Sequence, residues 1–158
     1  IEGKTAELFS AACETGAMIA TSNLNQIKSF KSYGKSIGIC FQLIDDYLDY
    51  KGDKKIMGKL IGNDFFNSKL TYPIIITLNE GTYSEKEKIE NLFKKKQKTQ
   101  NDLKLILEIL DNNDALKKTK IEAIKWSKKA KEEIKKIPQN LITNLLQELA
   151  DSIISRSS

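Results

Sequence analysis

Almost every stretch of this chain repeats its apolar residues every three to four positions, and nowhere does it alternate them over the length of a strand. That pattern restricts it to helices packed on helices. Residues 4–22 (KTAELFSAACETGAMIATS) set Leu8, Phe9, Ala12, Cys13, Ala17 and Ala20 on a period near 3.6, and the many small residues predict close helix packing. Ser22-Asn23 predicts a cap for a helix over about 24–50. Gly34 and Gly38 fall inside it, where each costs up to about 1 kcal/mol, so they predict close approach by another backbone or by a substrate. Residues 51–68 hold three glycines and four lysines and read as a loop.

Pro73 suits the first turn of a helix over 70–80, which Glu80-Gly81 ends. Ser84 and Glu87 predict a capping box for a helix over 85–97. Residues 101–111 form another amphipathic helix, and Asn113 or Asp114 caps a Lys-rich helix running to about 136. Pro138 begins a last helix over 139–154, with Leu141, Leu145, Leu149 and Ile153 on one stripe. Ile74-Ile75-Ile76 is too short, and wrongly flanked, to be read as a strand. The Lys-rich segment 84–104 reads as a solvated helix face.

Residues 37–53 (IGICFQLIDDYLDYKGD) carry the chemistry. Asp45, Asp46 and Asp49 at i, i+1, i+4 share one side of a helix, with Gln42 a turn earlier, opposite an apolar face of Ile37, Phe41, Ile44 and Leu48. Like charges at i, i+4 repel by a few tenths of a kcal/mol. A hard divalent cation such as Mg²⁺ relieves that repulsion and keeps positions open for phosphate oxygens. The competing reading is a solvated acidic face. Two features oppose it: ionised groups on an otherwise apolar helix are costly unless paired, and the chain is basic elsewhere. An EF-hand loop fails, because Tyr47 or Lys51 falls where a ligand is needed and Tyr50 or Lys54 where glycine is. A P-loop fails because Gly52 and Gly58-Lys59 are one residue too far apart and Leu60 replaces Ser or Thr.

Composition narrows the alternatives. With 158 residues, 40% hydrophobic and 30% charged, the chain is expected to be a single domain with a real core. Its net charge of +5 comes almost wholly from lysine, with Arg156 as the one arginine, which argues against a nucleic-acid partner. The absence of histidine excludes Ser-His-Asp chemistry, histidine bases and histidine metal ligands within these residues. Cys13 and Cys40 lack metal-type spacing and read as core thiols in a reducing, cytoplasmic setting. No apolar run reaches the roughly 18 residues of a membrane span. The start at Ile1 is read as a fragment, a processed piece or the ordered part of something longer.

Several motifs stand in register: IEGKTAELF at 1–9, FQLIDDYLD at 41–49, GKLIGND at 58–64, SKLTYP at 68–73 and the tail IPQNLITNLLQELADSIISRS. Together they resemble the C-terminal half of a trans-isoprenyl (polyprenyl, octaprenyl-type) diphosphate synthase. The resemblance implies an all-α fold, the C-terminal part of the isoprenoid synthase arrangement of antiparallel helices around a central cavity. It implies head-to-tail condensation of isopentenyl diphosphate with an allylic diphosphate, dependent on Mg²⁺. Carried over by residue, Asp45 is a direct metal ligand, and Asp46 and Asp49 act directly or through water. Lys4, Lys59 and Lys69 contact diphosphate oxygens. Thr5 and Gln42 aim oxygen dipoles at the developing cation, and Asp64 stands behind the ligands.

The departures from the family pattern matter as much. The first aspartate-rich motif and the basic residues that grip isopentenyl diphosphate are missing, and Ser68 stands where many members have glycine. The resemblance therefore implies one partial domain over 1–158, lacking its N-terminal half and inactive alone, from an enzyme that is a cytoplasmic homodimer at full length. Product length is unreadable, since its determinants lie upstream. Two other readings remain at this point: a non-catalytic remnant or partner subunit, and a class I terpene cyclase or head-to-head synthase, which the KT motif and the Gly-Lys loop oppose.

Overall fold

The computed structural model describes residues 5–51 and 61–156. Lys4, Lys59 and half of the segment read as a loop, residues 52–60, lie outside the described residues. Within them the chain is helical and shows no strand, as the periodicity requires. The elements are α1 (Glu7–Ala20), α2 (Leu24–Lys51), α3 (Asn63–Phe66), α4 (Tyr72–Glu80), α5 (Tyr83–Lys94), α6 (Gln100–Asn112), α7 (Ala115–Lys135) and α8 (Leu141–Ser155). They fall into two compact units, one drawn from residues 1–44 and 121–158, the other from 45–120.

In the first unit, the side chain of Asn23 caps α2 by accepting from the amides of Asn25 and Gln26, as Ser22-Asn23 predicts. Gly34 and Gly38 lie against the backbone of α1. A Cβ on Gly38 would stand 2.6 Å from Ala6 Cα, and one on Gly34 would overlap the Phe9 carbonyl oxygen. The glycines therefore serve helix packing, the first of the two uses their positions predict. Phe9 stacks on Phe41 at 6.0 Å between ring centroids. The Tyr33 hydroxyl donates to the Leu146 carbonyl, and the Ser127 hydroxyl to that of Ala150, tying α2 and α7 to α8. Cys40 is buried, and burial pushes its thiol up to about 12, which makes it an inert core residue.

The leucine stripe of α8 faces outward. Leu141, Leu145 and Leu149 are exposed, whereas Thr143, Ala150 and Ile153 turn inward. This helix starts later than Pro138 predicts. Asn140 is its cap, in a reciprocal box with Thr143.

In the second unit, Tyr50, Phe65, Ile74, Ile76, Ile89, Leu92, Leu103, Ile106, Ile109 and Leu110 form one buried cluster. The segment 84–104 contributes Ile89, Leu92 and Leu103 to it, so it is more than a solvated face. The box that starts α5 is Thr82 with Glu85, two residues before the expected pair Ser84 and Glu87. Pro73 lies in the first turn of α4, where its missing amide costs nothing. A second box, Thr99 with Asp102, starts α6. No described helix is long and apolar enough to cross a membrane.

Candidate functional site

The last turns of α2 carry Asp45, Asp46 and Asp49, and the chain returns to them between Ile61 and Tyr72. It is fastened there by hydrogen bonds to the aspartates themselves. Gly62 donates its amide to the Asp49 carbonyl at 2.7 Å. The amide of Asp64, in the first turn of α3, donates to Asp49 Oδ2 at 3.0 Å. The amide of Tyr72, where α4 begins, donates to Asp46 Oδ2 at 2.9 Å. The Tyr50 hydroxyl lies 3.1 Å from Thr71 Oγ1 in a buried pair. Gly62 adopts φ 77°, a left-handed conformation open to glycine, and so allows the chain to turn into α3.

Lys69 closes the arrangement. Its Nζ donates to Asp64 Oδ2 at 2.9 Å and stands 3.9 Å from Asp46 Oδ1. Its own amide donates to the Asp64 carbonyl. Asp46 is buried, Asp45 and Asp49 are partly exposed, and the Lys69 side chain is 48% exposed.

The electrostatics are one-sided. Burial pushes the Asp49 carboxyl up to about 6, and the charges of Asp64 and Asp45 push the same way; the Asp64 amide and the Lys69 ammonium pull it down. For Lys69, burial works against the charged form. Its hydrogen bond to Asp64 and the charges of Asp64, Asp46 and Asp45 outweigh burial and hold its pKa above the ordinary lysine value. Among the described residues, carboxylates thus exceed cations here.

Among the described residues the donor chemistry suits a hard divalent cation: oxygen ligands, surplus negative charge, two aspartates reachable from solvent and no soft ligand. Among the described residues, no three acidic or thiol side chains converge closely enough to hold a metal by themselves. The donor types thus suit a hard cation, and the described side chains alone do not enclose one.

Of the residues named from the sequence, the structure brings Asp46, Asp49, Asp64 and Lys69 into one hydrogen-bonded group, with Asp45 beside it. In the other unit, the Thr5 hydroxyl donates to Gln42 Oε1 at 3.0 Å, so these two residues orient each other. Tyr50, Gly62, Thr71 and the Tyr72 amide were not singled out beforehand as parts of the site. The signal of Gly62, Thr71 and Tyr72 lay within GKLIGND and SKLTYP, where attention rested on the lysines, and Tyr50 follows Asp49 directly in the 37–53 stretch.

Comparison with known proteins extends the picture. The polyprenyl synthetase family profile matches residues 1–110. A geranylgeranyl diphosphate synthase from Saccharolobus solfataricus is 36% identical over 138 residues, covering 87% of this chain and 41% of the relative. The structure of a decaprenyl diphosphate synthase from Rhodobacter capsulatus superposes with a TM-score of 0.91 at 34% identity, covering 100% of this chain and 49% of that one. A polyprenyl synthase from Caulobacter crescentus CB15, complexed with calcium and isoprenyl diphosphate, gives a TM-score of 0.87 at 35% identity, covering 100% of this chain and 48% of that one. The chain spans about half the length of the relatives it matches.

Proposed function

The chain belongs to the polyprenyl synthetase family, and from that premise we propose that it supplies one metal- and diphosphate-binding wall of a trans-prenyl diphosphate synthase. The reaction is condensation of isopentenyl diphosphate with an allylic diphosphate to give a polyprenyl diphosphate. In this reading residues 1–158 are a partial domain, inactive alone, of an enzyme that works as a cytoplasmic homodimer at full length. The observation that carries it is the carboxylate-rich end of α2, where Asp45, Asp46 and Asp49 lie beside Asp64 and Lys69. Caulobacter crescentus polyprenyl synthase, which resembles this chain, was crystallised with calcium and isoprenyl diphosphate, and divalent-metal use at such a site is consistent with that.

Mg²⁺, when bound, neutralises charge on the diphosphate leaving group. The chain's own residues hold and orient. Asp45, one of the two partly exposed aspartates, is the direct ligand. Asp46 and Asp49 keep one oxygen each on the Tyr72 and Asp64 amides and engage the cation directly or through water. Lys69, Lys59 and Lys4 serve as point charges for diphosphate oxygens. Thr5 fixes the Gln42 amide, and their oxygen dipoles stabilise positive charge developing on the allylic carbon. None of these steps needs a histidine, in keeping with the composition.

The test is calorimetric titration of the chain with Mg²⁺ and an allylic diphosphate, with Asp45→Ala as control. Metal-dependent binding that the substitution abolishes supports the proposal. A folded chain that binds nothing at millimolar ligand overturns it for this chain. A non-catalytic partner subunit is the second reading, favoured by the apolar side chains that α1 exposes, Leu8, Met18 and Ile19.

A further inference from the structure

Lys69 is the ammonium that the described residues set among the carboxylates, and its geometry is uneven. It makes a full hydrogen bond to Asp64 Oδ2 at 2.9 Å but only approaches Asp46 Oδ1, at 3.9 Å. Its backbone is pinned, because its own amide donates to the Asp64 carbonyl and, three residues on, the Tyr72 amide is held by Asp46. Its side chain is not pinned. Half of it is exposed, so the ammonium can leave through solvent on a flexible four-carbon stem. Asp46, in contrast, is buried and fixed by the Tyr72 amide.

An ammonium and a divalent cation cannot share these carboxylates cheaply. Like charges about 4 Å apart repel by several kcal/mol at the effective dielectric of a protein surface, before screening. We propose that Lys69 is a built-in counter-ion: its ammonium occupies the cation's place between Asp46 and Asp64 in the metal-free protein, and a divalent cation binding at the α2 aspartates displaces it. The inference rests on the reading of those aspartates as metal ligands and adds what stands there before the metal arrives. It sets an opposite charge beside Asp46 and Asp64 in the empty state, which offsets part of the cost of burying Asp46 as an anion. It also couples two binding events. The displaced ammonium needs an anion, so metal and diphosphate each favour the other's binding, by reciprocity of linkage.

The test uses Mn²⁺ alone, without diphosphate, read by calorimetry on the wild-type chain and on Lys69→Met, Lys69→Arg and Lys51→Met, each shown to be folded by circular dichroism. Lys51 is exposed and lies two residues after Asp49, so it reports the general field of a nearby lysine. Lys69→Met should bind Mn²⁺ on the order of five- to tenfold more tightly than wild type, a Coulomb gain reduced by solvent screening. Lys69→Arg and Lys51→Met should stay within about twofold of wild type. Equal affinity in wild type and Lys69→Met overturns the inference and leaves the metal-site reading standing. Equal tightening in Lys51→Met reduces the effect to net charge, and equal tightening in Lys69→Arg, which keeps the charge, shows that the charge at position 69 does not compete with the metal; either result overturns it. Absence of Mn²⁺ binding in all four proteins overturns the inference, since no cation then displaces the ammonium unaided; the metal-site reading is decided separately, by the titration with Mg²⁺ and an allylic diphosphate.

Discussion

Asp102 and Asp49 belong to the same compact unit, and each carboxylate accepts from a backbone amide and feels a lysine, yet their carboxyls are driven in opposite directions. At Asp102 the Lys95 ammonium donates at 2.6 Å, and the Thr99 amide and hydroxyl donate at 2.8 and 2.9 Å. These bonds, the lysine's first, pull its pKa to about 2. One carboxylate there meets one cation and the donors of a helix cap. At Asp49 burial dominates, further carboxylates crowd in, and the pKa rises to about 6. The first cluster is answered by its own donors; among the described residues, the second carries more negative charge than cations neutralise. A surplus that folding tolerates at a loss of stability is what the proposed metal- and diphosphate-binding wall requires.

The sharpest way to break the contrast is to remove each carboxylate and read ligand binding. Asp49→Ala should weaken metal-dependent binding of an allylic diphosphate about 100-fold, whereas Asp102→Ala should leave it within about twofold while lowering thermal stability. Calorimetry and a thermal melt on the same samples check both halves. Similar losses of binding would mean that the two clusters do not differ in kind. Next in size is Gly62, which holds the end of α3 to Asp49 and abuts the side chain of Leu103, the neighbour of Asp102. Gly62→Ala forces a left-handed φ on alanine and drives its Cβ into Leu103, so it should cost about 2 kcal/mol in urea unfolding. A cost below about 0.5 kcal/mol would show that this turn is not under that constraint.

The helices were legible because a 3.6 period repeated over ten or more residues leaves few alternatives. The boundaries were not. Thr82-x-x-Glu85 and Ser84-x-x-Glu87 both satisfy the capping-box pattern, and the chain takes the earlier because Gly81 already ends α4 and Thr82 is extended at φ −64°, ψ 158°. Pro138 signalled a helix start that Asn140 and Thr143 actually supply. The four-residue α3 is too short for any period to reveal it. For α8 the spacing of Leu141, Leu145 and Leu149 was plain, but spacing reports a stripe and not what covers it.

At the site, the aspartates and Lys69 were readable from helical spacing and motif. Their partners were not, since Asp64 lies 15 residues from Asp49 and Tyr72 lies 26 from Asp46. Such pairings belong to tertiary structure, which local pattern does not encode. The structure thereby changes what the aspartates are. Asp46 and Asp49 fasten the returning chain as well as being candidate ligands.

Stability against pH turns the comparison into opposite signs. Asp49 has a raised folded-state pKa, so the native chain holds its proton more tightly than the unfolded chain, whose carboxyl titrates near the ordinary value of 3.8. Stability from this group falls as pH rises from about 4 to about 6. Asp102 has a lowered pKa, so its contribution is present above about 4 and is lost as pH falls toward 2. Asp49→Asn should therefore flatten the pH 4–6 limb and leave the metal-free chain no less stable at pH 8. Asp102→Asn should flatten the limb below pH 4 and destabilise the chain at neutral pH. Urea midpoints between pH 2 and 8 decide; slopes of the same sign would undo the distinction.

The smallest effect serves as the baseline for all of these. Lys118 and Glu80 pair at 2.7 Å in the same unit with both side chains well exposed, 42% and 56%. Water already solvates each partner there, and two long side chains must be ordered to meet, so geometry alone confers little. Lys118→Ala should change stability by less than about 0.5 kcal/mol, with no change in metal binding. If it matches the loss in Asp102→Asn, then burial and the cap donors add nothing to a lysine–carboxylate contact, and the special standing of Asp102 disappears. If it is silent, the difference between the clusters lies in how completely each carboxylate is answered by donors among the described residues.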